Sequence, residues 1–259
     1  MGQFLVTGRI NQLEEHLQLC GDFGVALEIN DFFEPGLLDD KDGLIRVMEE
    51  YRNAGIPEGS TMHGVFFDIS IASRDEKIRV LSEERMTGSM EIARALGLKA
   101  VIFHVNYNSM LESEGFDKVF VDKTVAFLKQ LLIKYEEIEI YVENMFEADP
   151  HILVAIAREL SEYKNFGICF DWAHGVVFGG GVKRWVQELS TYIRHIHIND
   201  NDLKSDLHWA VGQGSIDWNE FADYYCRYFS DCSVLVETET VQCQRESLEF
   251  LRSLGCWYE

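Results

Sequence analysis

The sequence has no membrane-length hydrophobic run, no Cys-x-x-Cys pair, no glycine-rich phosphate turn and few basic residues, and each absence removes a class of protein. Its longest apolar runs are strand-sized, far short of the roughly 20 residues that a bilayer-crossing helix needs, which argues against a membrane partner. The opening MGQFLVTGRINQL lacks the basic-then-apolar order of a secretion signal. Six cysteines (Cys20, Cys169, Cys226, Cys232, Cys243 and Cys256) are scattered without metal-site or disulfide-framework spacing, so the expected compartment is a reducing cytoplasm. With three prolines and no low-complexity tract there is no linker signal, and the whole chain, 1–259, is expected to form one domain. Lys and Arg number 23 against 44 Asp and Glu, giving a formal charge of −21. Such a balance repels polyanions and argues against a nucleic-acid partner, whose binding leans on clustered cations.

What is present is an alternation of short apolar runs and amphipathic stretches. Strands are expected at Phe4–Gly8, Val25–Ile29, Ser60–His63, Ala100–Val105, Ile138–Glu143, Phe166–Asp171, Ile193–Ile198 and Ser233–Glu237. Helical spacing fills the gaps at Asn11–Cys20, with Asn11 as N-cap, and at Gly43–Ala54, Arg74–Leu96, Phe116–Tyr135, Pro150–Tyr163, Val182–Thr191, Ile216–Phe229 and Gln244–Leu254. The later strands are near-continuous Val/Ile/Phe runs, as in a parallel sheet buried on both faces. Eight such units point to an α/β fold, a (β/α)₈ TIM barrel. A doubly wound open sheet would call for GxGxxG after the first strand, and that motif is missing.

In a parallel barrel the strand C-termini share one face, where active sites are built. Polar residues fall there: His63, His104, Glu143, Asp171 with His174 just after it, His197, then Asp206 and His208 in the following loop, and Glu237. A buried carboxylate at the end of an apolar strand, as at Glu143 and Glu237, needs a cation or a proton. Imidazole and carboxylate without thiolate suit Zn²⁺ or Mn²⁺. His195 and His197 are expected to have one of the pair facing inward, His197. His16, His151 and His195 are assigned hydrogen-bonded structural roles. Aromatics near the mouth, Phe32, Phe66, Trp172 and Trp209, are candidates to stack on a sugar, with core or rim packing an equal alternative. Cations expected on loops reduce to Arg9, Lys183, Arg184, Lys204 and Arg245.

In order, H63, H104, E143, DxxH at Asp171 and His174, HxND at His197, DxH at Asp206 and His208, GxGxxDW from Gly212, and E237 resemble the xylose isomerase-like TIM barrel superfamily across nearly the whole chain. That superfamily contains sugar and sugar-phosphate isomerases and epimerases and the endonuclease IV (AP endonuclease family 2) group. The isomerase resemblance implies one Mn²⁺-type ion held by Glu143, Asp171, His197 and Glu237. The two glutamates would transfer the proton and His174 would touch the sugar oxygens, on a small polyhydroxylated or sugar-phosphate substrate contacted by Lys204, Trp172, Phe66, Trp209 and Arg9. Epimerases of this kind commonly carry an arginine in the loop after strand seven; here DNDLKSD offers only Lys204. The endonuclease resemblance implies three Zn²⁺ ions, on His63, His104 and Glu143, on Glu143, Asp171, His197 and Glu237, and on His174, Asp206 and His208. One to three divalent ions per chain are therefore expected. The first reading is the expected one; an inactive sugar-binding barrel is a third. The sequence is compatible with a monomer or a homo-oligomer.

Overall fold

The computed structural model describes residues 2–108 and 115–255; Cys256 lies outside the described residues. Eight parallel strands pair in sequence order and close, β8 returning to β1. In chain order the elements are β1 (Phe4–Gly8), α1 (Leu13–Phe23), β2 (Ala26–Ile29), α2 (Pro35–Asp39), α3 (Lys41–Ala54), β3 (Thr61–His63), α4 (Glu76–Leu96) and β4 (Ala100–His104). They continue as α5 (Phe116–Lys134), β5 (Glu139–Glu143), α6 (His151–Leu160), β6 (Phe166–Asp171), α7 (Trp172–Val177), α8 (Val182–Leu189), β7 (Ile193–Ile198), α9 (Trp218–Tyr224), β8 (Ser233–Val236) and α10 (Val241–Ser253). Among the described residues no helix is long and apolar enough to cross a membrane.

Alternation along each strand sorts side chains between two environments. Outward residues such as Val6, Leu27, Met62, Val101, Val142 and Ile196 pack under the helices in the main core, while Leu5, Ala26 and Leu235, and separately Ala100, Ile102, Tyr141 and Cys169, form small apolar clusters of their own. The polar residues share the inward parity at the C-terminal ends, so the strand register gathers them. His104 pairs with Glu143, and Asp171 with His197.

Helix boundaries follow local chemistry. The Asp75 side chain accepts from Lys77 N, so α4 starts after Arg74, and Asp40 caps α3 in the same way. Asn11 is not the cap of α1: it sits inside a short 3₁₀ turn, Ile10–Gln12, and Gln12 precedes the helix without a side-chain cap. The stretch expected to be one helix over Ile216–Phe229 starts at Trp218 behind an Asp217 cap and ends in a π turn, Tyr225–Phe229.

The expectation that strand seven would direct only one histidine inward is corrected. Residues two apart share a face, and His195 and His197 are both fully buried, each with Nε2 against Glu28 at 3.1 and 3.2 Å.

The loop after β7 is built around Asp200. Its backbone N–H and C=O both bond Trp209, closing residues 201–208 into a small lasso. Its fully buried carboxylate accepts from Asn201 N, Gly212 N, Ile216 N and Trp218 Nε1. A Cβ on Gly214 would come within 2.2 Å of Asp200 Oδ1, so only glycine fits there. The GxGxxDW stretch is thus the socket for this carboxylate. Asp200→Ala is expected to lower the unfolding free energy by about 3 kcal/mol, because several buried donors lose their acceptor together. Urea denaturation checks it; a loss below about 1 kcal/mol would show that the socket does not depend on the carboxylate.

Candidate metal and active site

Three of the mouth histidines are pinned in the same way. The Nδ1 atoms of His63, His174 and His208 lie 3.0, 2.8 and 3.0 Å from the backbone oxygens of Gly64, Asn144 and Glu237. A carbonyl only accepts, so each Nδ1 carries a proton and each Nε2 is turned into the mouth, where its lone pair can serve an ion once that nitrogen gives up its proton. His63 Nε2 stands 3.1 Å from His104 Nε2, and both approach Glu143 Oε2, at 3.4 and 3.3 Å. His174 Nε2 and His208 Nε2 converge on Asp206 Oδ2 at 3.2 and 3.0 Å. His208 reaches this position with φ +48°, the left-handed region that β-substituted residues enter at a cost.

Between these two groups lie the deepest members. Asp171 caps α7 by accepting from His174 N through Oδ1, which leaves Oδ2 for another partner. Asn144 clamps the ends of β5 and β6, bonding Asp171 N and Asp171 O. His197 turns Nδ1 toward Glu143 Oε1 (3.5 Å) and Glu237 Oε2 (3.3 Å). Glu143 Oε2, Asp171 Oδ2, Glu237 Oε2 and both nitrogens of His197 are buried without a hydrogen bond among the described residues.

Such a set fits a divalent cation. Natural interiors leave few buried polar atoms unpaired, and five of those found here lie together where imidazole and carboxylate ligands meet. Ligand atoms of His63, His104 and Glu143, and those of Glu143, Asp171 and His197, lie within 4.8 Å of one another. The electrostatics agree. Burial pushes the Asp171 carboxyl up to about 7, aided by Glu143, Glu237 and Asp206, with His174 opposing. Burial disfavours charge on His208, yet Glu237 and Asp206 outweigh it and raise its pKa to about 10. Burial likewise opposes charge on His174 and is overcome by Asp171, Asp206 and Glu143. Positive charge is what this cluster of acids recruits.

The mouth is a cavity of about 320 Å³ walled in part by His63, His104, Glu143, His174, Asp206, His208 and Glu237. Of the residues expected to contact substrate, Arg9 and Phe66 also line it. Lys204 and Trp209 do not: Lys204 is exposed on the lasso, and Trp209 pairs with Asp200 at its neck. Trp172 is corrected outright. It is 1% exposed, held among Phe170, Phe221 and Tyr224 beneath the helices, so its ring cannot meet a ligand. Phe32 is likewise buried, against Tyr51. Three cations expected on loops belong to helices, Lys183 and Arg184 to α8 and Arg245 to α10; Arg184 pairs with Glu188 and Asp149, and Arg245 with Asp22. His16 and His151 keep structural partners, Gln244 and Asp149. Sequence reasoning missed Glu28, a buried carboxylate on β2 below the cluster, and Asn144. Glu28's inward parity with an acidic side chain was the signal.

Comparison with known proteins places this geometry in context. The family model described as xylose isomerase-like TIM barrel matches residues 10–254. An uncharacterized protein of Methanocaldococcus jannaschii, MJ1311, is 26% identical over 201 residues, covering 74% of this chain and 68% of that one. A probable endonuclease 4 of Cenarchaeum symbiosum is 25% identical over 177 residues, 62% of this chain and 63% of its own length, so the chain spans less than two thirds of that relative. The crystal structure of a D-tagatose 3-epimerase-like protein superposes with a TM-score of 0.79 at 24% identity, covering 98% of this chain and 97% of that one, a likeness of fold. With the match spanning nearly every strand and helix described above, the chain belongs to the xylose isomerase-like TIM barrel family.

Proposed function

We propose that this protein is a divalent-metal-dependent isomerase or epimerase acting on a small polyhydroxylated or sugar-phosphate substrate. The observation that carries the reading is the approach of Glu143 and Glu237 to the same nitrogen, His197 Nδ1, each with an unpaired oxygen, beside a cavity sized for a small ligand. Glu143, Asp171, His197 and Glu237 would hold the ion. When bound, it supplies Lewis-acid polarisation of a carbonyl or hydroxyl oxygen, which acidifies the neighbouring C–H. One glutamate takes that proton and the other returns one. His174 orients substrate oxygens, and Phe66, edge-on to His63 at 4.8 Å, covers part of the mouth against water.

Arg9 is the only Lys or Arg among the described residues lining the cavity, which suits one anionic substituent better than a polyanion. Arg9→Ala is expected to raise KM about tenfold for a phosphorylated ketose, the loss of one charge-assisted hydrogen bond, and to leave the unphosphorylated ketose nearly unaffected. Steady-state kinetics on the pair decides it; equal effects on both would remove Arg9 from phosphate recognition.

Phosphodiester hydrolysis by a zinc cluster is the second reading, favoured by Asp206 bridging His174 and His208 as a further ligand group and by the endonuclease 4 relatives. Elemental analysis separates one ion per chain from three, and incubation with a ketose panel or with abasic-site DNA separates the reactions. Cleavage of abasic DNA that His208→Ala abolishes would overturn the isomerase reading.

A further inference from the structure

The deepest imidazole of the cluster, His197, lacks the backbone-carbonyl pinning that fixes three of its neighbours. His63, His174 and His208 each face a backbone carbonyl with Nδ1, whereas His197 meets carboxylates on both edges: Glu143 and Glu237 at Nδ1, and Glu28 Oε1 at Nε2, 3.2 Å away in ion-pair contact. Glu28 itself is 1% exposed and firmly anchored through its other oxygen. Oε2 accepts from Thr61 Oγ1 at 2.7 Å and lies 3.1 Å from His195 Nε2, while His195 Nδ1 is 2.7 Å from Ser233 Oγ. Groups from β3 and β7 therefore converge on this β2 carboxylate below the mouth, and β8 supports it through Ser233 and His195.

We propose that Glu28 is the positioning residue of His197, doing for it what carbonyls do for His63, His174 and His208, and that His195 is its anchor. The inference rests on the metal reading above. A neutral imidazole has one N–H. Carboxylates face both edges of this ring, and Glu28 stands at Nε2 in ion-pair contact rather than in a formed hydrogen bond; with an ion at the Nδ1 edge the proton belongs at Nε2, where Glu28 holds it, and the Nδ1 lone pair faces the ion. The arrangement also explains why two histidines on the same face of β7 differ. Both His195 nitrogens are engaged, so although Cys169, His195 and His197 have ligand atoms within 4.8 Å, His195 has no lone pair to offer.

The test is calorimetric titration of metal-stripped protein with ZnCl₂ and MnCl₂, together with long-range ¹H–¹⁵N spectra of the zinc-loaded protein to read the His197 tautomer. In Glu28→Gln the single amide oxygen stays with its two partners, Thr61 and His195, so the NH₂ turns to His197 Nε2 and drives the proton to Nδ1. The metal Kd is expected to rise about 10- to 100-fold, the usual cost of losing a ligand's supporting carboxylate, with the Nε2–H signal of His197 lost. Thr61→Val loosens Glu28 without touching a ligand and is expected to raise Kd by a smaller factor; it carries the test if Glu28→Gln does not fold. Wild-type affinity and an unchanged His197 tautomer in the folded variants overturn the inference alone. A wild-type chain that takes up neither ion overturns the metal reading, and this inference with it.

Discussion

Glu143→Gln and Glu237→Gln are each expected to leave a folded barrel with turnover reduced about 10³-fold, because glutamine keeps the shape of the side chain and cannot accept a proton. Folding survives because glutamine fills the same volume and the apolar core is untouched. Burial disfavours charge on both glutamates, but the imidazoles around them, His197 and His104 at Glu143 and His197 and His208 at Glu237, outweigh it and hold both carboxyls below the ordinary range, so each replacement costs some stability. Loss of activity in the two variants need not have the same composition. Glu143 stands within reach of His63, His104, His174 and His197, so its replacement weakens metal uptake as well as chemistry. Glu237 is 16% exposed at its side chain, open to the cavity, and its replacement is expected to reduce kcat more than metal content. Activity on the responsive ketose and metal content of each purified variant are the measurements. Wild-type turnover in either folded variant would remove that glutamate from the proton-transfer pair.

How much of this was legible in the sequence depended on where each side chain sits along its strand. Glu143, Asp171 and His197 end or nearly end strongly apolar runs, so both the strand and its functional terminus announce themselves, and the structure brings these residues together. Glu28 gave a weaker signal. It lies within a four-residue strand, one position before the end, and reads as an ordinary alternating polar residue until the barrel closes and buries it. The facing of His195, though not its hydrogen-bonded structural role, was misread for a related reason: the period of two was applied to neighbours rather than to its partner two residues on. Trp172 illustrates the opposite failure. It follows Asp171 directly, as a mouth residue would, but Asp171 caps a short helix whose first turn carries the indole back under Phe221. That reversal depends on one side-chain hydrogen bond, Asp171 Oδ1 to His174 N, which no periodicity encodes. Helix starts moved for the same cause, at Asp75 and Asp217, where a capping carboxylate decided the boundary.

Removing divalent metal should cost the barrel about 10 °C of melting temperature, recovered on adding Mn²⁺ or Zn²⁺. Ligand present at about 1,000 times its Kd stabilises by about 4 kcal/mol, and a chain of this size shifts about 2–4 °C per kcal/mol. The size of the effect should depend on pH in a defined direction. Without the ion, protons on the imidazoles supply the positive charge: burial disfavours them on His174 and His197, but the surrounding acids raise both pKa values well above the ordinary 6.5. A histidine whose folded pKa is raised contributes its full stabilisation below about pH 6.5 and loses it as pH climbs through the folded value. Asp171, pushed up to about 7, must also shed its proton in the same direction, adding another charge to the cluster. The stripped barrel therefore weakens as pH rises above neutrality, while the loaded barrel holds its charge without protons. Metal must displace those protons to bind, so its affinity also rises with pH. The gap between loaded and stripped protein is accordingly expected to widen from about pH 6 to about pH 8.5, as read by calorimetric melting or urea denaturation. A gap that stays constant, or narrows on the alkaline side, would mean that the imidazoles and carboxylates at this mouth do not exchange protons for a cation.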